Sequence, residues 1–246
     1  MYGLYKTVRD RLKRYLMASE SLTADSLIGT NTVTVADSDS FEFQGLTDDY
    51  PTVILMDNET TGQRIEEGYA GAELINVSSV DGPTITFDSN LTDDWLLSKS
   101  STITRAAGGV PVRQVVIGDL EVINVFPTVC VVPMNKTRDW YILSGTWEVM
   151  SIDFMIYVEH GGTELATIDL LKVTDVVEWI LMSNLHLAPQ GSSDLTNITS
   201  RAIVSNVDYG VVQKGSAFLK AAKVTWTGEV CITREYLHGQ KPYYEG

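Results

Sequence analysis

Two apolar runs between residues 122 and 187 dominate the hydrophobic pattern of the chain. Val, Ile and aromatic residues are concentrated at 122–134 and 147–158, and turn residues bound both runs, which predicts two neighbouring strands. In the second run, every other residue from Met150 to Val158 is apolar. This alternation predicts that one face of the second strand is buried.

The spacing becomes helical directly after these strands, from residue 165 to 184. The predicted apolar stripe includes Ile168 and Leu171, and acidic residues such as Asp169 fall mostly on the opposite side. We therefore expect the strand pair to lay its apolar face on one amphipathic helix.

Further elements complete a predicted α+β fold. A short amphipathic helix with a basic outer face is expected within residues 1–20. Apolar strand patterns follow at 110–117, 201–212 and 217–233. Strands, one long helix and more strands in succession predict a mostly antiparallel sheet with helices packed on one face, built from residues 1–20 and 110–246.

Residues 24–106 have a different pattern, with short strands at close spacing and turn signals between them. Asp81 and Gly82 lie between two such strands, a strong signal for a hairpin. Regular spacing of this kind predicts a small β-barrel or sandwich inserted as a separate module. The stretch 106–109, with its two glycines, is expected to form a flexible exit from it.

Charge separates the same segments. The chain has a net charge of −14. Residues 1–20 carry five basic and two acidic side chains, a balance of +3, whereas residues 21–110 carry three basic and 15 acidic ones, a balance of −12. Residues 21–110 would therefore repel a nucleic-acid backbone. A segment this acidic most commonly provides a well-solvated protein surface.

Targeting signals and disulfides are not expected. The basic N-terminus precedes no apolar stretch of export-signal length, and no apolar run approaches the roughly 18 residues that cross a bilayer. Cys130 and Cys231 both lie within apolar strand patterns, which predicts buried, reduced thiols. Whether the two are close in space is left open by the sequence.

No motif for catalysis or metal binding stands out. The three histidines, His160, His186 and His238, have no recognised zinc spacing, and the sequence contains no nucleophile elbow or phosphate-binding loop. Asp93 and Asp94 could hold a cation, but acidic residues at turns more often cap backbone N–H groups. We expect no catalytic, metal or cofactor site, and a protein that is not an enzyme.

The order of elements resembles one protein family. Residues 1–20 with 110–246 are similar to the tail-terminator, or tail-completion, proteins of tailed bacteriophages. The likeness lies in a first helix, the stretch Phe126-Pro-Thr-Val-Cys-Val-Val-Pro133, the strand at 147–158, one long helix and the closing strands. The acidic insertion looks like the small β modules of several phage neck and connector proteins.

The resemblance implies a virion protein of the neck, assembled in the host bacterial cytoplasm. Such proteins form a ring, typically a hexamer, that ends polymerisation of the tail tube and docks to the head connector. Implied partners are further copies of the chain, the tail tube protein, neck proteins and, in a contractile tail, the sheath. DNA would pass through the lumen without specific binding, and neither a cofactor nor a membrane is implied.

Two other functions remain open at this point. The chain could be another neck component, such as an adaptor, stopper or collar protein. It could also be a soluble ligand-binding module built on the β insert. Candidate partner contacts are Arg9 and Lys13 on the basic helix and Lys136 and Arg138 near a loop, for which plain solvated surface is an equally good interpretation.

Overall fold

In the residues that the structure describes, the protein is mostly β, with two α-helices. The computed structural model describes residues 2–38, 41, 52–60, 64–65, 68–123, 125–142, 145–159, 163–183 and 202–233. The chain divides into two compact units. The first comprises Met1–Arg11, Gln114–Gly161 and Val177–Gly246, and the second comprises Leu12–Arg113 and Gly162–Val176. The domain limits expected from the sequence stay a prediction.

The first unit contains a five-stranded sheet. Its strands are β9 (Gln114–Ile117), β10 (Thr128–Ile142), β11 (Gly145–Glu159), β12 (Ile203–Lys214) and β13 (Ala217–Thr233). They lie in the order β12-β13-β11-β10-β9. All neighbours are antiparallel except β9 and β10, which are parallel. The predicted mostly antiparallel sheet is confirmed, whereas the packing of helices on one face stays a prediction.

The predicted apolar face of β11 is confirmed. Met150, Phe154 and Val158, with the intervening apolar residues on that face, are all buried. The opposite face is also covered in places, because Tyr157 and Asp153 are buried as well. Asp153 tolerates burial because its carboxylate accepts a hydrogen bond of 2.8 Å from the hydroxyl of Thr225 on the next strand.

The preceding strand begins later than predicted. Residues 122–134 were expected to be extended throughout, but β10 starts at Thr128. Leu120–Val122 is instead a 3₁₀ turn, which the side chain of Asp119 caps by accepting the backbone N–H of Glu121. This cap keeps Val122 out of the strand, and Pro127, which has no backbone N–H to donate to a strand ladder, directly precedes Thr128. Likewise, only Gln114–Ile117 of the predicted strand at 110–117 is extended.

The long helix is confirmed as α2 (Thr163–Ser183), and its predicted apolar stripe is right at Val176 and Ile180, which are buried, but wrong nearer the N-terminus. Ile168 and Leu171 are exposed, whereas Asp169 is buried, together with Ala166, Leu170, Val173 and Val177. Apolar residues occur on more than one side of this helix, so periodicity alone selects the wrong side at Ile168 and Leu171.

The basic N-terminal helix is also confirmed, as α1 (Tyr2–Met17). Its stripe of Val8, Leu12 and Leu16 is fully buried, as the spacing predicts. At its C-terminal end, the guanidinium of the buried Arg105 lies 5.6 Å from the centre of the Tyr15 ring. No helix in the described part of the chain is long and apolar enough to span a membrane.

The second unit contains a curled six-stranded sheet. Its strands are β1 (Ser19–Ser21), β2 (Thr32–Thr34), β3 (Thr52–Met56), β6 (Glu73–Asp81), β7 (Thr84–Phe87) and β8 (Thr102–Arg105), in the order β1-β8-β3-β6-β7-β2. An isolated bridge between Leu22 and Val35 links the two edge strands. A short pair, β4 (Arg64–Ile65) and β5 (Gly68–Tyr69), stands apart. The curled sheet encloses a core that includes Phe41, Phe87 and Trp95.

One of two turns predicted in this unit is confirmed, and the other segment differs from its prediction. The predicted hairpin at Asp81 and Gly82 is confirmed, with Asp81 opposite Thr84 and Gly82 at a φ of +54°. The stretch 106–109, expected to be a flexible exit, is a tight turn. Ala107 and Val110 exchange two backbone hydrogen bonds across it, of 2.8 and 3.0 Å, and both glycines have positive φ.

Candidate interaction surfaces

The four predicted contact residues lie on two elements. Arg9 is already paired, since its guanidinium donates to the Asp10 carboxylate at 2.8 and 2.6 Å. Lys13 is exposed on α1. Lys136 and Arg138 lie on β10, opposite Met150 and Glu148 of β11, and their side chains are outside the described residues. Their role as partner contacts stays a prediction.

The acidic pair Asp93 and Asp94 in the second unit caps turns, as expected. The carboxylate of Asp94 accepts the backbone N–H of Ile28 at 2.7 Å, and that of Asp93 accepts the N–H of Asp94 at 2.8 Å. Asp25 accepts the N–H of Leu97 at 2.7 Å in the same way. Part of the acidic charge of this unit is therefore used to fix loops.

Glu73 fixes another loop with more contacts than any of these caps. One of its carboxylate oxygens accepts both the backbone N–H and the hydroxyl of Thr92, at 2.7 and 2.9 Å. The other accepts the indole N–H of Trp95 at 2.8 Å. Trp95 is buried, so this carboxylate satisfies a donor that water does not reach.

Within the described residues, no group of three or more His, Cys, Asp and Glu side chains could hold a metal ion. The three histidines and the side chain of Cys231 lie outside the part of the chain that the structure describes. The expectation that the protein has no metal site, no cofactor and no enzymatic activity therefore stays a prediction.

A buried thiol lies in a small apolar cluster on one face of the five-stranded sheet. Cys130 packs there with Ile123, Tyr157, Leu219 and Ala221. Burial raises the pKa of the Cys130 thiol to about 12, and the negative charge of Asp119 adds to the rise. Burial likewise raises the pKa of Tyr157 to about 12. The predicted burial of Cys130 is confirmed, and its thiol is free in the structure.

This cluster predicts a loss of stability in base. The unfolded chain ionises its thiol near pH 9, the ordinary value, whereas the folded chain keeps the proton up to about pH 12. Ionisation therefore favours the unfolded state as the pH rises through this window. We expect Cys130 to lower the free energy of unfolding by about 1.4 kcal/mol between pH 8 and pH 10.

Urea unfolding of the wild type and of Cys130→Ala at both pH values measures this effect. The pH dependence should be smaller in the variant by about that amount, whatever its stability at pH 8. Equal pH dependence in both proteins would show that the thiol does not keep its proton.

The edge strand of the five-stranded sheet carries an apolar surface. Among the described strands, β12 pairs with β13 alone. Tyr209, Val211 and Phe218 are 53%, 55% and 56% exposed, and their register places them on the sheet face where Val224 and Trp226 are buried. We call these three residues the apolar edge. The apolar edge is therefore an exposed part of the same sheet face that is buried at Val224 and Trp226.

A second exposed apolar group lies on the second unit. Leu27, Ile28 and Leu97 are 53%, 62% and 48% exposed. The two loops that carry them are joined at Ser26 and Trp95, which exchange two backbone hydrogen bonds of 2.9 and 2.8 Å. We call Leu27, Ile28 and Leu97 the apolar knob.

Sequence reasoning identified neither surface. Tyr209, Val211 and Phe218 read as ordinary strand residues, because a pattern cannot show which strand lies at an edge. The apolar knob could have been predicted from a local pattern in the sequence. Leu27 and Ile28 are adjacent large apolar residues directly before Gly29, in a stretch that is otherwise polar.

No family model and no curated protein matches the chain. The solved structures that resemble it include three phage tailspikes. The Gp54 tailspike of Acinetobacter baumannii bacteriophage AP22, solved with an A. baumannii capsular saccharide, is 18% identical, with a TM-score of 0.26 over 36% of this chain and 15% of the tailspike. Tailspike gp61 of Pseudomonas phage phi297 is 23% identical, with a TM-score of 0.25 over 36% and 14%.

The third, tailspike gp49 of Pseudomonas phage LKA1, is 18% identical, with a TM-score of 0.24 over 42% of this chain and 17% of the tailspike. The chain thus spans less than a fifth of each of the three tailspikes. TM-scores this low carry no conclusion about the fold or the function of this chain.

Proposed function

We propose that this protein is a structural protein of a tailed-phage virion. In this proposal it forms a ring, most simply a hexamer, that caps the tail tube at the neck and joins it to the head connector. The order of elements around Phe126–Pro133 and the closing strands suggests this role. The same proposal includes the packing of the helices on one face of the five-stranded sheet, as in the tail-terminator family.

The two edges of the five-stranded sheet are the observation that carries the ring. Within the described residues, β12 ends the sheet on one side and β9 ends it on the other. Because these edges differ, pairing one copy's β12 side with the next copy's β9 side is a heterologous contact, the kind that closes into rings. Strand edges supply unpaired backbone groups for such contacts, and the apolar edge supplies area that is buried on assembly.

Chemistry plays no part in the proposed role. The protein would act without a cofactor and would not be an enzyme; its partners would be its own copies, the tail tube and neck proteins, and the sheath in a contractile tail. The net charge of −14 suits a lumen through which DNA slides without binding, because DNA affinity rests mainly on cationic contacts to phosphate.

A substitution in the apolar edge tests the ring. Val211→Glu places a carboxylate opposite Lys220 on β13, so the isolated fold gains a cross-strand ion pair. In an assembled ring the same charge would be buried, which is costly. We expect the wild type to reach six times the 27.1 kDa monomer mass in light scattering, and the variant to associate at least about tenfold more weakly.

Leu171→Glu makes the same change at an exposed residue of α2 and serves as the control. Unchanged assembly of Val211→Glu would contradict a contact at the β12 edge. A large oligomer of another symmetry would point to an adaptor, stopper or collar protein, and a monomer that binds small ligands would point to a binding module.

A further inference from the structure

The apolar knob is rigid although its side chains lie in solvent. The N–H groups of Ile28 and Leu97 both donate to carboxylates, at 2.7 Å each, and Thr30 closes the turn by donating its hydroxyl to the carbonyl of Leu27 at 2.6 Å. Loops fixed in this way lose little conformational entropy on binding. The knob is therefore preorganised to dock on another surface.

Charge limits what that surface can be. The carboxylates that fix the loops belong to Asp25, Asp93 and Asp94, so the knob has an acidic rim, within a segment whose net charge is −12. An anionic lipid surface would be repelled. The surface that fits is a protein surface with both apolar area and basic side chains.

The chain itself carries such a surface on the outer side of α1. Lys6 and Lys13 are exposed there and supply its charge, whereas Tyr5 and Arg9, whose guanidinium is paired with Asp10, are partly exposed. Residues three, four and seven positions apart lie on one side of a helix, so these four side chains form one patch. The Tyr5 ring and the aliphatic stems of the lysines provide apolar area beside the charges.

We infer that the knob of one copy docks on the outer face of α1 in the next copy, head to tail. This inference rests on the proposed ring, in which every copy offers both surfaces in equal number. Stable interfaces bury about 800 Å² on each partner, more than three side chains provide. The knob is therefore one part of a subunit contact to which the sheet edges also contribute.

Sedimentation equilibrium of the full chain tests this contact from both sides. Ile28→Ser removes apolar area from the knob, and Lys13→Glu reverses a charge on α1. We expect each to weaken subunit association at least about tenfold. A third variant changes Asp25, Asp93 and Asp94 together to Asn, which keeps an oxygen to accept each N–H; we expect it to reduce the salt dependence of association.

Two matched controls carry comparable changes elsewhere. Leu171→Ser alters an exposed apolar residue of α2, and Asp175→Lys reverses an exposed charge on the same helix. Both should associate like the wild type. If Ile28→Ser alone weakens association, the knob docks elsewhere and the assignment to α1 is overturned.

The remaining outcomes separate this inference from the proposed function. If Ile28→Ser and Lys13→Glu assemble like the wild type while Val211→Glu does not, the knob contact is wrong and the ring stands. If the wild type stays monomeric at every concentration, the ring and the knob contact both fail.

Discussion

Gly228→Ala should destabilise the protein by about 3 kcal/mol, as for overpacking of a tight core. Gly228 is a buried residue of β13, two positions from Trp226 on the same face. A Cβ atom at Gly228 would lie 2.4 Å from Cη2 and 2.6 Å from Cζ2 of the Trp226 ring. These distances are far inside van der Waals contact, so the ring or the strand has to move.

The ring has little room to do so. Trp226 is fully buried, with Ile152 of β11 and Val204 of β12 as its neighbours across the sheet. Protein interiors are packed as closely as organic crystals, so displacing an indole disturbs every residue around it. Its indole N–H has no acceptor among the described residues, so close packing rather than hydrogen bonding sets the cost of moving the ring there.

Gly210→Ala is the matched control for this change. Gly210 lies on β12, opposite Ala221, and a Cβ atom there would have nothing within 4 Å. Since Ala is slightly better than Gly in a strand, we expect this variant to be as stable as the wild type or up to about 0.5 kcal/mol more stable. Urea unfolding followed by circular dichroism compares the two. Similar stability of both variants would mean that the indole does not fill the space above Gly228.

The sequence predicted those parts of the fold that depend on local chemistry. The alternation of Met150 to Val158 and the turn at Gly82 are set by residues close together in the chain, and both were located correctly. The strand β1 was missed, because Ser19–Ser21 is polar and extended only through its pairing with β8, more than 80 residues away. The parallel pairing of β9 and β10 is likewise a contact that no local pattern specifies.

The candidate surfaces were harder to predict for a related reason. Exposure of Val211 depends on β12 being an edge strand, and exposure of Ile168 depends on which side of α2 is covered. Periodicity gives the spacing of apolar residues but not what lies opposite them. The sequence therefore suggested basic residues such as Lys13 as contacts, because charge can be read directly, and overlooked the exposed apolar groups.

The acidic residues of the second unit differ in what they contribute, and Glu73 satisfies a buried donor as well as fixing a loop. Glu73→Ala leaves the indole N–H of the buried Trp95 unpaired and removes both hydrogen bonds to Thr92. An unsatisfied buried donor costs about 1–3 kcal/mol, and each lost hydrogen bond adds about 1 kcal/mol or less. We expect the free energy of unfolding to fall by about 3 kcal/mol in urea unfolding followed by circular dichroism.

Glu59→Ala is the comparison that separates this role from charge alone. Glu59 contacts Lys99 at 2.7 Å, but its side chain is 70% exposed, so its loss should cost less than about 1 kcal/mol. Both variants remove one negative charge from the same acidic unit. If charge repulsion governed the stability of this unit, both variants would stabilise the protein equally. A large loss of stability confined to Glu73→Ala would instead show that the Glu73 carboxylate holds a loop.

Combining Glu73→Ala with Trp95→Phe completes the test. With the indole N–H gone, the cost of losing Glu73 should fall by at least about 1 kcal/mol.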